Sequence, residues 1–408
     1  MNENMKNGLL GGIINFSLVL VNILVVTVMW QMAGVPYNGA FSVVVFCALL
    51  GTLIAAYYHL AVVVAPSIIL NSFLCYDLVI SQGFAWQEVM SLPLLAGLAI
   101  ILLMLSGKYV MVVEALPKYL EAFIPVTLGV FLIYRGLIMS HMVIASPVQI
   151  TAMGSFYDPL LWVSLPSLLI ILALLFRRRE YSLLMGLIAA VFLAFFYGLI
   201  SLPEHLFSLP EGILTTGLQF SFNELFRLAG PFLVVLLVLL VEGLTLGKVV
   251  KRNGEKILLT NGAASAFGGL LSGGAMTVTE ATVACRFDSK NPIPPAIVSA
   301  CLLVMLLFCA PLAMELVKFP VITGAVVIGA GCCMLMDLKF LPINDNISIL
   351  AGIFTIILVP VWGSLTAGIG FGLIIYSLLM ACNGRGRELP GLLYPILGLF
   401  VVYFMCNI

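Results

Sequence analysis

The sequence predicts an all-α polytopic membrane protein with about 14 transmembrane segments, arranged as two inverted seven-helix repeats. Of its 408 residues, 62% are hydrophobic and only 9% are charged, whereas charged residues make up ~25% of a soluble domain. The mean hydropathy is +1.21. Apolar runs of roughly 18 to 25 residues recur from end to end, and each can cross a bilayer core about 30 Å thick as a helix that satisfies its own backbone hydrogen bonds.

The apolar runs give the candidate spans in chain order. They lie at approximately 9–32, 38–57, 61–80, 90–107, 117–138, 158–176, 181–200, 230–249, 259–273, 277–290, 293–316, 319–337, 346–362 and 365–382. A further segment, 390–406, follows the polar break "NGRGRELP" and adds a C-terminal helix whose crossing of the membrane is left open.

The distribution of basic residues tests this segmentation. If the N-terminus is cytoplasmic and every span crosses once, 15 of the 18 lysines and arginines lie on the cytoplasmic side, and Arg135, Arg227 and Lys318 are the exceptions. This is the bias of the positive-inside rule. The sequence therefore predicts a multi-pass protein of the cell membrane with a cytoplasmic N-terminus, and it places the segment 201–229 outside.

The external segment 201–229 separates two halves of seven spans each, and an odd number per half inverts the second half. The third span of each half is interrupted, by Pro66 in the first and by Gly273 and Gly274 in the second, shortly before Glu280. Interrupted segments at matching positions of inverted repeats point to the binding site of secondary transporters.

Two acidic residues lie inside apolar stretches, where an ionised carboxylate costs roughly 2.5 to 3.5 kcal/mol. Glu242 lies about 19 Å into the eighth span at 1.5 Å per residue, and Glu280 follows the glycine break. Either acid can be satisfied by neighbouring groups alone, but intramembrane acids favour an ion or substrate pathway. The threonines around Glu280, among them Thr279, suit a short extended piece and offer hydroxyls. Asn71 can cap a half-helix or touch substrate.

Other classes of function lose support. A net charge of zero suggests no nucleic-acid partner, and the nine cysteines show no spacing for a metal site or a disulfide framework. The chain lacks the nucleotide-binding, zinc-protease and hydrolase motifs, and no nucleophile–base pair is visible. We therefore expect neither an enzyme nor a cofactor.

Four stretches of the chain resemble a known family. They are "VVVAPSIILNSFL" (62–74), "LVEGLTLGKVV" (240–250), "LSGGAMTVTEAT" (271–282) and "AGIGFGLIIYSLL" (367–379). They are similar to the motifs "ALAPGMGLNAFF", "FVDLFDTxGTL", "GTSTTTTYIESA" and "DGIGFGFISYVLL" of the nucleobase permeases of the xanthine/uracil class. The resemblance is closest to the purine branch, which carries adenine, guanine and hypoxanthine, and it extends over nearly the whole chain.

This resemblance implies a core domain and a gate domain, with short strands of the third and tenth spans crossing near the midplane. The implied core is 1–110 and 230–317, the gate is 111–200 and 318–408, and the external linker is 201–229.

The resemblance also implies roles for single residues. Substrate would be bound by Glu280, Glu242, Thr279 and Asn71, and Glu242 would also carry the coupled proton. The chain departs from the family pattern at Thr245, which stands at the second acid of the eighth-span motif, and at Ser67 and Ile69, which replace its two glycines.

The sequence thus predicts a symporter, a secondary active transporter that takes up a purine or related nucleobase with a proton by an elevator-like motion. A proton is favoured over sodium as the coupling cation, and a homodimer is left open. Two alternatives remain: an anion or small-solute transporter or channel on the same fold, and a membrane sensor that does not transport.

Overall fold

The computed structural model describes residues 3–60, 62–107, 118–145, 151–177, 181–201, 203, 205, 207–210, 212–250, 254–278, 293–335, 345–362, 364–391 and 393–407.

The first half of the chain is built from helices and three short strands. In order, these are α1 (Glu3–Met32), α2 (Tyr37–Tyr57), β1 (Val64–Pro66), α3 (Ile68–Ser72), a π-helix (Phe73–Ser81), α4 (Trp86–Val89), α5 (Ser91–Leu105), α6 (Lys118–Met139), β2 (Val143–Ala145), β3 (Thr151–Met153), α7 (Pro159–Phe176) and α8 (Ser182–Phe196).

A short helix, α9 (Ile213–Thr216), lies in the connection between the halves. The second half then contains α10 (Ala229–Val250), α11 (Gly254–Leu270), β4 (Met276–Val278), α12 (Ile293–Leu307), α13 (Ala310–Val317), α14 (Val321–Leu335), α15 (Asn346–Trp362), α16 (Leu365–Cys382), a 3₁₀ turn (Gly386–Glu388) and α17 (Leu393–Asn407).

The predicted helical architecture is confirmed, while the number of spans is not settled by helix length. Within the described ranges, three helical segments are long and apolar enough to cross a membrane individually, namely Tyr37–Tyr57, Trp86–Leu105 and Pro159–Phe176. The stretches of the other apolar helices that enter this count are 10–17 residues long, for example Val19–Met32 of α1 and Ala229–Gly243 of α10. The count of 14 spans and the inverted repeat therefore remain predictions.

One predicted span is bent. The sequence predicts a single helix over 293–316, but Ala296–Leu307 and Ala310–Leu316 meet at an angle of 80°. Pro311 lies in the first turn of the second helix and has no backbone N–H. It cannot donate to the carbonyl of Leu307, so the helical hydrogen-bond ladder is interrupted at this point.

The two interrupted spans meet as a pair of antiparallel strands, β1 and β4, and this pair is called the strand crossing below. Val64 of β1 pairs with Val278 of β4, Ala65 with Thr277, and Pro66 with Met276. All six residues are buried. The predicted extended stretches are therefore confirmed in both spans. Proline and β-branched residues disfavour the helix at these positions and are compatible with extended backbone.

The described helices pack most extensively within two groups. The first group surrounds the strand crossing, with α11 against α5, α12 against α1 and α2, and α10 against α11 and α5. The second group is centred on α14, which packs against α6, α7 and α8, while α15 packs against α6 and α16. The crossing strands thus lie in the first group, which draws on both halves of the chain.

Helices α5 and α11 approach each other closely because Gly97 has no side chain. A Cβ atom at Gly97 would lie 2.5 Å from the backbone nitrogen of Ala266 and 2.9 Å from its Cα atom. Gly398 on α17 is a contrasting helical glycine, because a Cβ there would meet no atom within 4 Å.

We predict that Gly97→Ala lowers the thermal unfolding midpoint of the detergent-purified protein, because the methyl group must push two helix backbones apart at a cost of about 1–3 kcal/mol. The matched variant Gly398→Ala should leave the midpoint unchanged or raise it slightly, since alanine is the better helix former. Equal midpoints for the two variants would contradict this account of the packing.

Candidate functional site

The strand crossing is joined by the side chain of Asn71, which is fully buried. Its Oδ1 atom accepts hydrogen bonds from Trp30 Nε1 at 3.2 Å and from the backbone N–H of Ala275 at 3.0 Å. Its Nδ2 atom donates to the carbonyls of Ser67 at 2.7 Å and Ala275 at 2.8 Å. These four bonds use the full capacity of a carboxamide. Asn71 therefore ties α3 to the approach to β4, 204 positions away.

The observed hydrogen bonds bear on both roles predicted for Asn71, capping α3 and contacting substrate. The cap of α3 is provided by Ser67, whose Oγ accepts from the backbone N–H of Leu70 at 3.3 Å. A substrate contact by Asn71 would have to displace one of its four protein partners. The contact with substrate stays a prediction, and the structure adds a bridging role that the sequence did not suggest.

The glycine break before β4 has a steric cause. Gly274 has a φ of +82°, and a Cβ atom there would lie 2.8 Å from Trp30 Nε1 and 3.0 Å from the side-chain carbon of Asn71. A side chain at this position would therefore collide with the bridge that Asn71 forms, and glycine adopts the left-handed backbone without strain. Gly274, one of the two glycines that mark the break in the sequence, therefore leaves the space that the hydrogen bonds of Asn71 need.

Each strand is also anchored to a helix. On the first-half side, Thr52 Oγ1 of α2 lies 3.3 Å from the backbone nitrogen of Val64, which donates to it. On the second-half side, Ser265 Oγ of α11 donates to the carbonyl of Met276 at 2.5 Å. Hydroxyls therefore satisfy backbone groups that strand pairing leaves unmet.

Asn261 of α11 provides a second anchor for β4. Its Oδ1 accepts from the backbone N–H of Val278 at 2.7 Å, and the residue is fully buried. Asn261 was not predicted from the sequence. The available signal was an uncharged amide inside an otherwise apolar and small-residue span, the stretch "LLTNGAASAFGG".

Glu242 is half-buried on α10, one residue before Gly243, where α10 lies against α11. At the next residue, Gly243, a Cβ atom would lie 2.7 Å from Leu258 Cδ1 and 3.4 Å from Asn261 Nδ2. The helix that carries Glu242 therefore passes directly beside the side chain that holds the end of β4.

The other two predicted site residues, Thr279 and Glu280, lie outside the described residues. They follow Val278, the last residue of β4, by one and two positions. The structure thus links Asn71 to the start of β4 through Ala275, and it links the helix that bears Glu242 to the end of β4 through Asn261. Thr245 is on α10, among residues whose side chains are not described.

A separate contact joins the two helix groups. The guanidinium of Arg135 on α6 lies 5.3 Å from the centre of the Tyr76 ring, which belongs to the π-helix, and 5.4 Å from that of Phe131. The Tyr76 hydroxyl donates to Met139 Sδ at 3.1 Å. Such cation–π contacts are strengthened away from water. The π-helix of the first group is therefore held against α6 of the second.

Within the described residues, no group of three or more histidine, cysteine, aspartate or glutamate side chains could hold a metal ion. The polar side chains at the crossing are instead the amides of Asn71 and Asn261 and the hydroxyls of Thr52 and Ser265. Such a donor and acceptor set suits a neutral polar ligand.

The chain matches no protein-family profile, but it is similar to curated permeases along nearly its whole length. It is 24% identical to the guanine/hypoxanthine permease PbuO of Bacillus subtilis over 443 residues, which cover 99% of this chain and 97% of the relative. It is 23% identical to the putative permease MJ0326 of Methanocaldococcus jannaschii, with 98% and 95% covered. It is 22% identical to the adenine permease AdeP of Escherichia coli, with 91% and 86% covered.

Solved transporter structures share the fold. The murine anion transporter Slc26a9 superposes with a TM-score of 0.66 at 11% sequence identity, covering 94% of this chain and 69% of the transporter. The transmembrane domain of the cyanobacterial bicarbonate transporter BicA gives a TM-score of 0.61 at 17% identity, covering 90% and 98%. The chain is a multi-pass membrane protein, and its relatives are named permeases rather than enzymes.

We predict that Asn71→Ala destabilises the protein strongly. It leaves the Ala275 N–H and the Trp30 indole N–H buried without an acceptor, and each unmet group costs about 1–3 kcal/mol. The measurement is thermal unfolding in detergent. The control is Asn383→Ala, which removes an exposed amide that bonds only locally, to the carbonyl of Leu379 at 2.9 Å. If the two variants unfold at the same temperature, Asn71 does not hold the crossing.

Proposed function

We propose that this divergent relative of the purine permeases is a secondary active transporter that takes up a purine nucleobase together with a proton. One observation carries the proposal. The helix bearing Glu242 and the strand leading to Glu280 meet at Asn261, which contacts Val278 and approaches Gly243. Two carboxylates are thereby expected on either side of one buried position, beside paired strands that cross inside the protein.

The chemistry of a nucleobase fits this position. A purine presents N–H donors and carbonyl or ring-nitrogen acceptors around a flat apolar ring. In the proposed site Glu280 accepts from a ring N–H, Thr279 contributes its hydroxyl, and Glu242 binds the base from the opposite side. Asn71 acts mainly by keeping the two interrupted spans in register.

A proton is the proposed coupling ion, and Glu242 is its proposed carrier. An intramembrane acid is most easily accommodated when it is neutral or paired. A protonated Glu242 can donate to the base, whereas the ionised form only accepts. Binding of base and binding of proton then favour each other, which is the linkage a symporter needs.

Alternating access is proposed to follow the elevator type. The two groups of packed helices support a core of 1–110 and 230–317 and a gate of 111–200 and 318–408, with 201–229 as the external linker. The crossing strands and both acids belong to the core. Contacts between the groups, including Arg135 on Tyr76, would have to exchange as the core moves.

The relatives support a purine as the substrate, since the curated names include guanine/hypoxanthine and adenine permeases. The likeness to the anion transporters is at 11% and 17% identity and supports the fold alone. A pair of carboxylates would also repel an anion. An anion transporter or channel and a sensor without flux are therefore the outcomes that the following experiment must exclude.

We predict that the purified protein in liposomes takes up radiolabelled purine when the outside is acidic, and that a protonophore abolishes accumulation. Replacing sodium by choline should have no effect. Glu242→Gln and Glu280→Gln should each lower uptake at least about tenfold, because an amide can neither accept a proton nor bind a ring N–H in the same way.

The matched control is Glu388→Gln, which changes an exposed carboxylate paired with Arg385 at 2.8 Å on the 3₁₀ turn. This variant should transport like wild type. Wild-type rates in both acid variants would refute the assigned site. Uptake that ignores the pH gradient would refute proton coupling, and purine binding without flux would support a sensor.

A further inference from the structure

The side chain of Asn261 carries a buried donor with no hydrogen-bond partner among the described residues, its Nδ2 group. The orientation of the carboxamide is fixed by the other end. Val278 donates its backbone N–H to Oδ1 at 2.7 Å, and a flipped amide would set two donors against each other. The NH₂ group must therefore point away from β4.

The unmet NH₂ group faces α10. Nδ2 lies 3.4 Å from the position of a Cβ atom on Gly243, the residue that follows Glu242. On its other side, the same side chain holds Val278, two positions before Glu280. The donor thus lies between the helix of one proposed substrate-binding acid and the strand that leads to the other.

Comparison with Asn71 shows that the spare donor is not a general consequence of holding a strand. Asn71 is equally buried, and all four of its hydrogen-bonding positions are used within the protein. Buried polar groups without partners are rare because they lose their bonds to water. Among the buried unpaired side-chain atoms of the described residues, Asn261 Nδ2 is placed beside both α10 and the end of β4, where a bound ligand can pair with it.

We propose that Asn261 Nδ2 donates a hydrogen bond to the carbonyl oxygen of an oxopurine, and that this bond makes the site select hypoxanthine or guanine over adenine. The inference rests on the proposed function. In the proposed site Glu280 supplies an acceptor for a ring N–H group, whereas an NH₂ group can only donate. A ligand that satisfies both presents an N–H beside an acceptor atom, as the lactam edge of a 6-oxopurine does with its N1–H and its oxygen.

Adenine carries an amino group where hypoxanthine carries that oxygen. In the orientation in which the lactam edge of hypoxanthine pairs with Asn261 and Glu280, the amino N–H bonds of adenine would face those of Asn261. Its N1 nitrogen, an acceptor, would face the carboxylate, so neither hydrogen bond would form. Sites built to pair a polar group reject analogues that cannot do so much more strongly than apolar pockets reject a missing methylene.

The variant Asn261→Asp isolates the donor. It keeps an oxygen for the N–H of Val278 and replaces the NH₂ group by a second oxygen. Ser265→Ala is the matched control, because it removes a different anchor of β4, the bond to the carbonyl of Met276, and touches no unmet donor. If Asn261 only holds the strand, neither variant should change the ratio of the hypoxanthine affinity to the adenine affinity.

The measurement is equilibrium binding of hypoxanthine and adenine to the full-length protein in detergent, with folding checked by size exclusion. Wild type should bind hypoxanthine at least about tenfold more tightly than adenine. Asn261→Asp should lose at least about tenfold for hypoxanthine and lose nothing or gain for adenine, and Ser265→Ala should change both equally.

A ligand series keeps the test independent of any variant. Unsubstituted purine lacks the 6-oxygen and should bind wild type at least about tenfold more weakly than hypoxanthine. Purine binding without this preference, or equal losses for both bases in Asn261→Asp, overturns the inference and leaves the proposed function standing. Binding of no purine at all overturns both.

Discussion

The backbone hydrogen bonds of the two interrupted spans are the constraint on which the rest of this structure depends. Inside a bilayer no water can pair with exposed N–H and C=O groups, so irregular backbone persists only where the protein satisfies it. Here β1 and β4 pair with each other, the Ser67 N–H donates to the carbonyl of Ala275 at 3.0 Å, and Asn71 meets both polar groups of Ala275. Neither half of the chain can therefore complete its interrupted span alone.

This mutual dependence shapes the packing around the crossing. Strand β4 needs Asn261 and Ser265 of α11, and α11 in turn lies against α5 with hardly any space between the backbones. The small residue Gly97 follows from that requirement, because a larger side chain would move α11 away from α5 and the anchors of β4 with it. A site of a few polar groups is thus held by a much larger set of close apolar contacts.

The sequence predicted the helices well and the joints between them poorly. Hydropathy reports which stretches are apolar, and the physics of the bilayer turns those stretches into helices. The bend before Pro311 is a local backbone effect that hydropathy does not detect. The interruption at Pro66 was predicted, because proline and the later glycines are visible signals, whereas the pairing of β1 with β4 rested on family resemblance.

Site residues could be predicted from the sequence where their burial in the membrane costs much free energy, and not where the residue type is common in helices. Glu242 is conspicuous because a carboxylate is rare in such surroundings. Asn261 is not, since an amide in a helix can serve packing or capping as easily as binding. The partner of Asn261, Val278, is 17 positions away, and Ala275, one of the partners of Asn71, is 204 positions away. Only the folded arrangement shows that one amide is saturated and the other is not.

The difference between the saturated amide of Asn71 and the unsaturated amide of Asn261 gives a physical reason for different roles of the two halves. The first half supplies a frame whose polar groups at Asn71 are already satisfied, while the second half carries both acids and the unmet donor of Asn261. In the proposed mechanism an empty core holds the unmet donor of Asn261, and a bound base satisfies it. Moving the loaded core past an apolar gate then costs less free energy, because that donor no longer travels without a partner. Selectivity and coupling would thus arise from the same hydrogen bonds.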